Sequence, residues 1–533
     1  MSASVDSPSS PAPNDGVPAA AWRSPVNPFL IAATVMLATF MEVLDTSIAN
    51  VALPHIAGNL SATIDESTWV LTSYLISNAI VLPLTGWLHT LFGRKRFYMV
   101  CVAIFTLSSL MCGLAPSLFL LILFRILQGV GGGGLQPTSQ AILVESFDQR
   151  QQGMAMAVYG MGVVVAPIIG PTLGGWITDN FSWRWIFFIN VPIGMLSMAM
   201  TSALIHDPPY LVRKGFKQGL KIDFIGLGLL CVGLGFLQVV LDKGQSDDWF
   251  GSRFILWSTI IGAAGLIGAI VWELRQDQPM INLRLFKNRN FAMATFMMFA
   301  LGVVLYGTTV LLPVMVQSLM GYTAQLAGMV LSPGAILTLF AMPIVGRLLN
   351  KVEPRWLVIT GLIILGAGMF RLSLLNLQTG FAAFVLTWAI SRGGLPFLFV
   401  PINVTAFSHI EREKVSSATG LINLTRNMGG SVGISVVTTL QSRLTQAHQN
   451  ALAGHLTPLD PSYTSRLSHL EAALRAAGAG PAQAAGQAQG IIYGELVRQS
   501  SMLAYIDVFR MLSWLCIGMI PLMFLMKRAK PRG

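Results

Sequence analysis

The residues that could do chemistry in this chain are a few ionisable side chains inside long apolar stretches. Glu42 and Asp45 are three positions apart, so on a helix they share one face, and Arg125 lies in a later stretch. A charge near the centre of a membrane helix costs at least about 2.5–3.5 kcal/mol, so each needs a reason to be there. An acid beside a fixed cation can take up and release a proton as its surroundings change. Glu42 and Asp45 are therefore candidate proton carriers, with Arg125 coupling them to substrate; the alternative is a structural salt bridge.

A second group of ionisable residues is basic. Arg392 and Arg426 fall in two late apolar stretches, and Asn423 and Asn427 accompany Arg426. Because unpaired cations in lipid are costly, the two arginines must meet an acid, backbone carbonyls or a bound anion. The sharper hypothesis is a cavity that takes an anionic amphiphile. The other residues assigned to this cavity are Tyr74, Asn78 and Gln128.

The sequence does not support ATP hydrolysis, dinucleotide binding or a metal site. No phosphate-binding Gly-x4-Gly-Lys-Ser/Thr loop occurs, so ATP hydrolysis is excluded as the energy source. The glycine run from 129 to 134 matches a dinucleotide fingerprint, but no strand precedes it. The four cysteines lie within apolar stretches and the seven histidines lack ligand spacing, which argues against a metal site. We therefore expect no enzyme activity and no cofactor, with a proton gradient as the energy source.

The elements that position these residues follow from composition. Hydrophobic residues make up 53% of the 533 positions and charged residues 11%, against roughly 25% charged in an ordinary soluble domain. Such a chain cannot cover its surface with polar groups, so membrane lipid must be part of its solvent. Stretches of the ~20 apolar residues that span a bilayer predict an all-α protein with fourteen transmembrane helices. They lie at about 29–53, 67–89, 97–115, 117–142, 153–177, 184–204, 222–241, 254–273, 291–318, 325–349, 355–376, 379–407, 415–442 and 504–526.

The rise per residue of an α-helix places Glu42 and Arg125 at similar depths in the membrane. At about 1.5 Å per residue, Glu42 in the first span lies about 10 Å below the outer surface of the membrane core. Arg125 in the antiparallel fourth span lies about 12 Å below the same surface. The two depths agree, so the acids and the arginine are expected to be able to meet.

The basic residues set the orientation. The net charge of +11 comes from alternate short loops, whereas the intervening loops are nearly free of Lys and Arg. By the positive-inside rule both termini are cytoplasmic, and the charge is a topology signal rather than a nucleic-acid signal. The basic loop residues are Arg94, Lys95, Arg96, Arg150, Arg213, Lys214, Lys217, Lys221, Arg284, Lys287, Arg289, Lys351, Arg355, Arg412 and Lys414.

The chain also repeats itself. Arg392 follows Arg125 by 267 residues, and Gly420 follows Gly153 by the same interval. This predicts two parallel six-helix bundles, 29–204 and 291–526, with two inserted helices at 222–273. Residues 1–28 are expected to be a disordered cytoplasmic tail and 527–533 a basic cytoplasmic tail. Residues 443–503 are expected to form a long periplasmic loop, either a solvated cap or a docking surface.

Five motifs occur in order along the chain, at residues 44–54 (LDTSIANVALP), 125–132 (RILQGVGG), 162–175, 183–194 and 241–250. Together they resemble the fourteen-span drug:proton antiporters of the major facilitator superfamily, most closely the EmrB type. The first three resemble that family's first-helix signature, fourth-helix motif and fifth-helix antiporter motif, and the last two resemble further hallmarks of the subgroup. The resemblance covers about residues 30–526.

The resemblance implies a major facilitator fold and roles for specific residues. It supports Asp45 and Arg125 in proton coupling, while the Glu42 position is often an amide in the family. The loop motif after the second span departs from the family, because Thr90 stands where an acid usually lies and Asn350 stands at the repeated position. The gating and packing positions are Gly86, Gly93, Arg94, Gly162, Pro167, Gly170, Pro171, Gly174 and Gly175.

The function expected from these features is proton-coupled export of small amphiphilic drugs across the bacterial inner membrane by alternating access. One alternative is an importer or metabolite carrier on the same scaffold, against which the fifth-helix motif argues. Another is a non-transporting membrane scaffold or receptor. The resemblance also implies a periplasmic adaptor and an outer-membrane channel as partners.

Overall fold

The computed structural model describes residues 25–207, 223–276, 279–408 and 410–525. Almost all of the predicted N-terminal tail and the basic C-terminal tail lie outside these residues, as do the loop residues Arg213, Lys214, Lys217 and Lys221. The described parts of the chain are all α-helical, as the sequence predicts.

Eighteen α-helices run through the described residues, with short 3-10 helices between some of them. The helices are α1 (Pro28–Asn59), α2 (Ile64–Ser67), α3 (Trp69–Phe92), α4 (Arg94–Leu114), α5 (Leu118–Ser146), α6 (Gln152–Asn180), α7 (Trp185–Phe188), α8 (Asn190–Leu204), α9 (Phe224–Lys243), α10 (Arg253–Arg275), α11 (Arg289–Met320), α12 (Ala324–Leu348), α13 (Pro354–Leu372), α14 (Phe381–Arg392), α15 (Leu395–Phe407), α16 (Val415–Ala453), α17 (Pro461–Ala476) and α18 (Pro481–Gly518). The 3-10 helices are Gln149–Gln151, Trp249–Gly251, Leu283–Lys287, Arg412–Lys414 and Pro521–Leu525.

Within these residues, 13 helical segments are long and apolar enough to cross a membrane. The predicted thirteenth span corresponds to α16, which falls short on hydropathy because serine, threonine, glycine and asparagine alternate with its apolar residues. The count of fourteen spans and the cytoplasmic position of both ends therefore stay predictions. Another difference from the expected spans is that 379–407 forms two helices, α14 and α15, separated by Gly393 and Gly394.

The segment predicted as a periplasmic loop, 443–503, is largely helical. Helix α16 continues to Ala453, and α18 begins at Pro481, well before the predicted last span. Between them α17 packs against α18, and Arg466 of α17 forms an ion pair with Glu495 of α18. None of the residues of α17 is buried, so this helix lies on the outside of the assembly.

The packing of the helices defines two groups and two seams between them. In the first group α1 packs against α6 and α8, and α5 packs against α3 and α4; in the second, α11 packs against α16 and α13 against α18. One seam joins α6 to α12, and the other joins α3 to α16. The inserted helices α9 and α10 form a pair, and α9 contacts α3 and α16 along the second seam.

Glycines bring the helices close together across these seams at the predicted cytoplasmic end. A Cβ atom at Gly153 of α6 would lie 2.4 Å from the carbonyl oxygen of Gly346 in α12. At the other seam, a Cβ atom at Gly86 of α3 would lie 2.3 Å from Ser417 Oγ in α16. Only glycine allows such close backbone approach. Each half therefore supplies one glycine seam to the other, and this end of the bundle is closed.

Prolines and glycines of α6 hold it against α1. Pro171 has no N–H, so the carbonyl of Pro167 loses its helical donor, and Ser47 Oγ of α1 donates to that oxygen at 3.0 Å. One turn on from Pro167, a Cβ atom at Gly170 would lie 2.3 Å from Ser47 Oγ, which explains the need for glycine there. Gly174 lies against Ile48 in the same way, and Gly162 lies against Met36. These contacts fix the register of the helix that carries Glu42 and Asp45.

Candidate functional site

A buried ion pair lies between α1 and α5. Arg125 donates from Nη1 to Asp45 Oδ2 at 2.6 Å, and both side chains are almost completely inaccessible to solvent. Arg125 Nε donates to the backbone carbonyl of Val70 in α3 at 3.0 Å, and the guanidinium lies 4.3 Å above the ring of Tyr74. The structure thus places the predicted acid and arginine in direct contact.

Two amides complete the surroundings of Asp45. Gln128 Nε2 donates to Asp45 Oδ1 at 3.0 Å, and Asn190 Nδ2, at the start of α8, donates to the same oxygen at 2.7 Å. The carboxylate therefore accepts from a guanidinium and two amides at once. Both of its oxygens thus have hydrogen-bond donors, one of them a charged group.

Glu42 lies on the same face of α1 but has a different environment. Its Oε1 accepts from Tyr74 Oη at 2.8 Å and from Asn78 Nδ2 at 3.2 Å, and its Oε2 accepts from Gln136 of α5. No arginine or lysine donates to it directly within the described residues. Of the two acids, Glu42 is the one held only by neutral donors.

A cavity of about 100 Å³ opens beside Glu42, between the two halves. Its residues come from α1, α3, α5, α9, α11 and α16, so both halves and the inserted pair contribute. Drug-sized ligands occupy pockets of about 300–1,000 Å³, so this cavity must widen to hold one. The lining residues are Glu42, Val43, Thr46, Tyr74, Leu75, Asn78, Ala79, Gln136, Gln238, Tyr306, Asn427, Met428, Gly430, Ser431 and Ile434.

A layer of polar contacts between the halves lies on the predicted cytoplasmic side of the cavity. Arg426 of α16 donates to Gln136 Oε1 of α5. One turn further along α5, Gln140 donates to Asn403 Oδ1 and accepts from Asn423 Nδ2, both at 2.6 Å. Tyr159 of α6 also donates to Asn423 at 2.8 Å. We call this layer the polar floor; it consists of Gln136, Gln140, Tyr159, Asn403, Asn423 and Arg426.

The two arginines of the C-terminal half have separate environments. Arg392 donates to the hydroxyls of Thr308 and Thr309 at 2.8 and 3.2 Å, and its guanidinium lies 3.7 Å above the ring of Trp388. It is fully buried, outside the cavity lining, and within the described residues it meets no carboxylate. Arg426 instead contacts the polar floor and Asn427. They share no hydrogen-bond partner within the part of the chain that the structure describes.

The loop motif after α3 uses an acid from another helix. Gly93 has φ of 80° and ψ of 158°, a conformation that favours glycine, and it joins α3 to α4. Arg94 pairs with Glu145 near the end of α5, and both are buried. Arg94 also donates from Nε to Ser416 Oγ of α16 at 3.1 Å, so the motif reaches the other half. Thr90, where the family usually has an acid, bonds only to the carbonyl of Trp87.

Several residues of the site were not singled out from the sequence. Gln136 and Tyr306 contact the cavity, Gln140 and Tyr159 belong to the polar floor, and Asn190 holds Asp45. A usable signal was present for the glutamines, since Gln136 and Gln140 follow Gln128 in an otherwise apolar span at helical spacing. Asn190 lies within the motif at 183–194, but its contact with Asp45 depends on how α8 packs against α1.

The model of the Major Facilitator Superfamily matches residues 35–434. The multidrug export protein EmrB of Escherichia coli K12 is 36% identical over 505 residues, which cover 94% of this chain and 95% of that protein. The fatty acid resistance protein FarB of Neisseria gonorrhoeae is 38% identical over 92% of this chain and 94% of its own length. Among solved structures, the proton:xylose symporter XylE aligns with a TM-score of 0.57 over 93% of this chain and 96% of its own, at 13% identity.

These findings confirm the EmrB-type resemblance drawn from the motifs, and the XylE alignment supports the same fold. With its apolar helices, the chain is a multi-pass protein of the inner membrane and a transporter rather than an enzyme. Through its helical fold and its match across most of its length, the chain belongs to the major facilitator superfamily.

Proposed function

We propose that this protein exports small amphiphilic compounds in exchange for protons, by alternating access between its two halves. The observation that carries the proposal is Glu42, a buried carboxylate on the wall of a cavity between the halves, held only by neutral donors. A carboxylate with no cation bound to it can be protonated without breaking an ion pair. The proton gradient is the energy source, since one charge crossing 100 mV provides about 2.3 kcal/mol before any pH difference.

Asp45 has a different part in the proposed cycle. Its ion pair with Arg125 and two amide donors hold it in place while the cytoplasmic end is closed. Movement of α5 or α8 relative to α1 would break these contacts. We therefore assign proton uptake from the open cavity to Glu42, with Asp45 as a second carrier whose contacts change with conformation.

The substrate class follows from the cavity and from the relatives. The cavity combines aromatic and apolar side chains with amides and hydroxyls, which suits amphiphilic molecules. The relatives' names refer to multidrug export and fatty acid resistance, and this chain is proposed to export compounds of that kind. An anionic substrate group would be met by Arg426, which contacts the cavity residues Gln136 and Asn427, rather than by Arg392.

The test is transport by the full chain in proteoliposomes with an imposed pH gradient. Wild type is expected to move ethidium against protons, with a pH-sensitive dye reporting proton flow. Glu42→Gln keeps the shape of the side chain but cannot carry a proton, so proton-driven transport should fall at least about tenfold while counterflow without a gradient continues. The matched control is Gln238→Glu, which adds a carboxyl at the cavity wall without removing Glu42. Unchanged proton-driven transport by Glu42→Gln would contradict the proposal.

The external helices provide the proposed contact with a periplasmic adaptor, which would pass substrate to an outer-membrane channel. Helices α16 and α18 extend beyond the apolar spans and carry α17, whose residues are all accessible. Leu459, in the turn before α17, is 92% exposed, as expected for a side chain that a partner covers. Photo-crosslinking from Leu459 and Tyr493 should capture the adaptor, whereas crosslinking from Trp257, an exposed residue of the inserted pair, should not.

A further inference from the structure

The polar floor contains one side chain that touches a carboxylate in one half and a guanidinium in the other. Gln136 of α5 donates from Nε2 to Glu42 of α1 and accepts at Oε1 from Arg426 of α16. All three side chains are buried, and Gln136 and Glu42 both reach the cavity wall. Among the described residues this is the one hydrogen-bonded path that connects a cavity acid to a cation of the opposite half.

The chemistry of the two neighbours fixes the orientation of the amide. A guanidinium has only donors, so it requires the amide oxygen, and an ionised carboxylate has only acceptors, so it requires the amide nitrogen. Both requirements are met together while Glu42 is ionised. A protonated Glu42 has an O–H group that needs an acceptor. The oxygen of Gln136 becomes that acceptor if the side-chain amide rotates so that its oxygen and nitrogen exchange places. That rotation would direct the NH₂ group at Arg426, donor against donor, and break the contact between the halves.

We propose that Gln136 is the positioning residue that couples protonation of Glu42 to opening of the polar floor. The inference rests on the proposed proton-coupled function. Proton uptake from the external side turns the Gln136 amide, releases Arg426 and lets the cytoplasmic end separate. Loss of the proton restores the amide and closes the floor again. The sense of this coupling is the one that exchange needs, since a proton entering from outside permits the inward-open form.

Other charged and titratable groups also act on Glu42, but among the described residues of the opposite half only Arg426 is linked to it through a neutral amide. Tyr159 and Tyr306 approach from α6 and α11 without a hydrogen bond to Glu42. The full set is Asp45, Tyr74, Tyr159, Tyr306 and Arg426. The second bridge of the floor, Gln140, contacts the amides of Asn403 and Asn423 and the sulfur of Met156, none of which titrates, so it holds the halves together without sensing a proton.

That contrast supplies a matched control. Gln136→Leu removes the link to Glu42 and Arg426, whereas Gln140→Leu removes a floor contact of similar geometry that involves no titratable group. Gln136→Asn keeps an amide that is one methylene too short to reach both partners, and it serves if the leucine variant does not fold. Each variant is made in the full chain with Cys231→Ser and reconstituted in proteoliposomes.

Spin labels on cysteines replacing Asn59 and Ser318 report the separation of α1 and α11 at their predicted external ends. In wild type, the ratio of the two distance populations is expected to change at least about tenfold between alkaline and acidic pH, against less than about twofold in Gln136→Leu and Gln136→Asn. Gln140→Leu should shift the ratio at every pH but keep the wild-type pH response. A wild-type response in both Gln136 variants, or its equal loss in Gln140→Leu, would overturn the coupling role.

Ethidium-driven proton flow separates this inference from the proposed function. If wild type exchanges ethidium for protons and Gln136→Leu does so with the same pH profile, the coupling role of Gln136 is wrong and proton exchange stands. If wild type moves no protons at all, both proposals are wrong. A pH profile that flattens only in the Gln136 variants supports both.

Discussion

The two halves of this transporter each bury one arginine at related positions, but they give it different partners. Arg125 in the first half meets the carboxylate of Asp45, whereas Arg392 in the second meets two threonine hydroxyls and a tryptophan ring. Asp45 and Thr308 lie on the first long helix of their respective halves, so the acid and the hydroxyl occupy related places. Helices α11 to α16 contain no Asp or Glu.

The difference shows how a repeated scaffold can divide two tasks. A threonine hydroxyl stays neutral at any physiological pH, so the site around Arg392 cannot change its charge by taking up a proton. In the proposed cycle the first half does so, through Glu42 and Asp45. The second half contributes Arg426 and polar cavity residues, and Arg426 contacts the first half at Gln136 of the polar floor. Three substitutions test this comparison.

The largest effect is expected from breaking the acid–arginine pair of the first half. Arg125→Gln leaves Asp45 buried without its cation, and removal of one partner from a buried pair costs about 3–5 kcal/mol. Thermal unfolding of the purified protein in detergent should show this loss. The double variant Asp45→Asn with Arg125→Gln should recover most of the stability but not proton-driven transport. Purely additive losses in the double variant would show that the pair does not act as a unit.

A smaller effect is expected at the matching arginine. Arg392→Gln strands no carboxylate and also removes the cost of a buried cation, so the loss should be no more than about 1–2 kcal/mol. The same unfolding measurement checks it, with Arg125→Gln as the reference. Equal losses of stability at the two sites would mean that Arg392, like Arg125, is paired with a charged group.

The smallest effect is expected when the second half is given an acid. Thr308→Asp places a carboxyl beside Arg392, and a buried pair roughly balances its desolvation, so stability should change by less than about 1 kcal/mol. Thr295→Asp is the matched control on the same helix, because the Thr295 hydroxyl donates only to the carbonyl of Phe291. A large loss for Thr308→Asp, similar to that of the control, would show that the Arg392 site cannot accept a counter-charge.

Much of the fold could be predicted because its signals are local. Apolar runs predicted where the membrane helices lie, and the motifs around Asp45, Arg125 and Pro167 indicated the protein family. The break at Gly393 and Gly394, the continuation of α16 to Ala453 and the early start of α18 at Pro481 were not predicted, because hydropathy locates apolar stretches but not where a helix bends or continues into water.

The candidate site was likewise predicted only in part from the sequence. Depth along the helices placed Glu42 and Arg125 at one level, but the acid that contacts Arg125 is Asp45, three residues further along α1. The grouping of Arg392 with Arg426 rested on their places in apolar stretches, which say nothing about which side of a helix faces which neighbour. Their separate partners follow from helix rotation, which is set by packing against other helices.

The sequence by itself determined that this is a helical membrane transporter with charged residues inside its apolar spans. It did so because charge inside an apolar span is costly, and its presence is informative without any coordinates. Only the tertiary structure decided which acid is held by a cation and which by neutral donors. It also decided that Gln136 stands between Glu42 and Arg426, since that contact joins residues 290 positions apart across two separately packed halves.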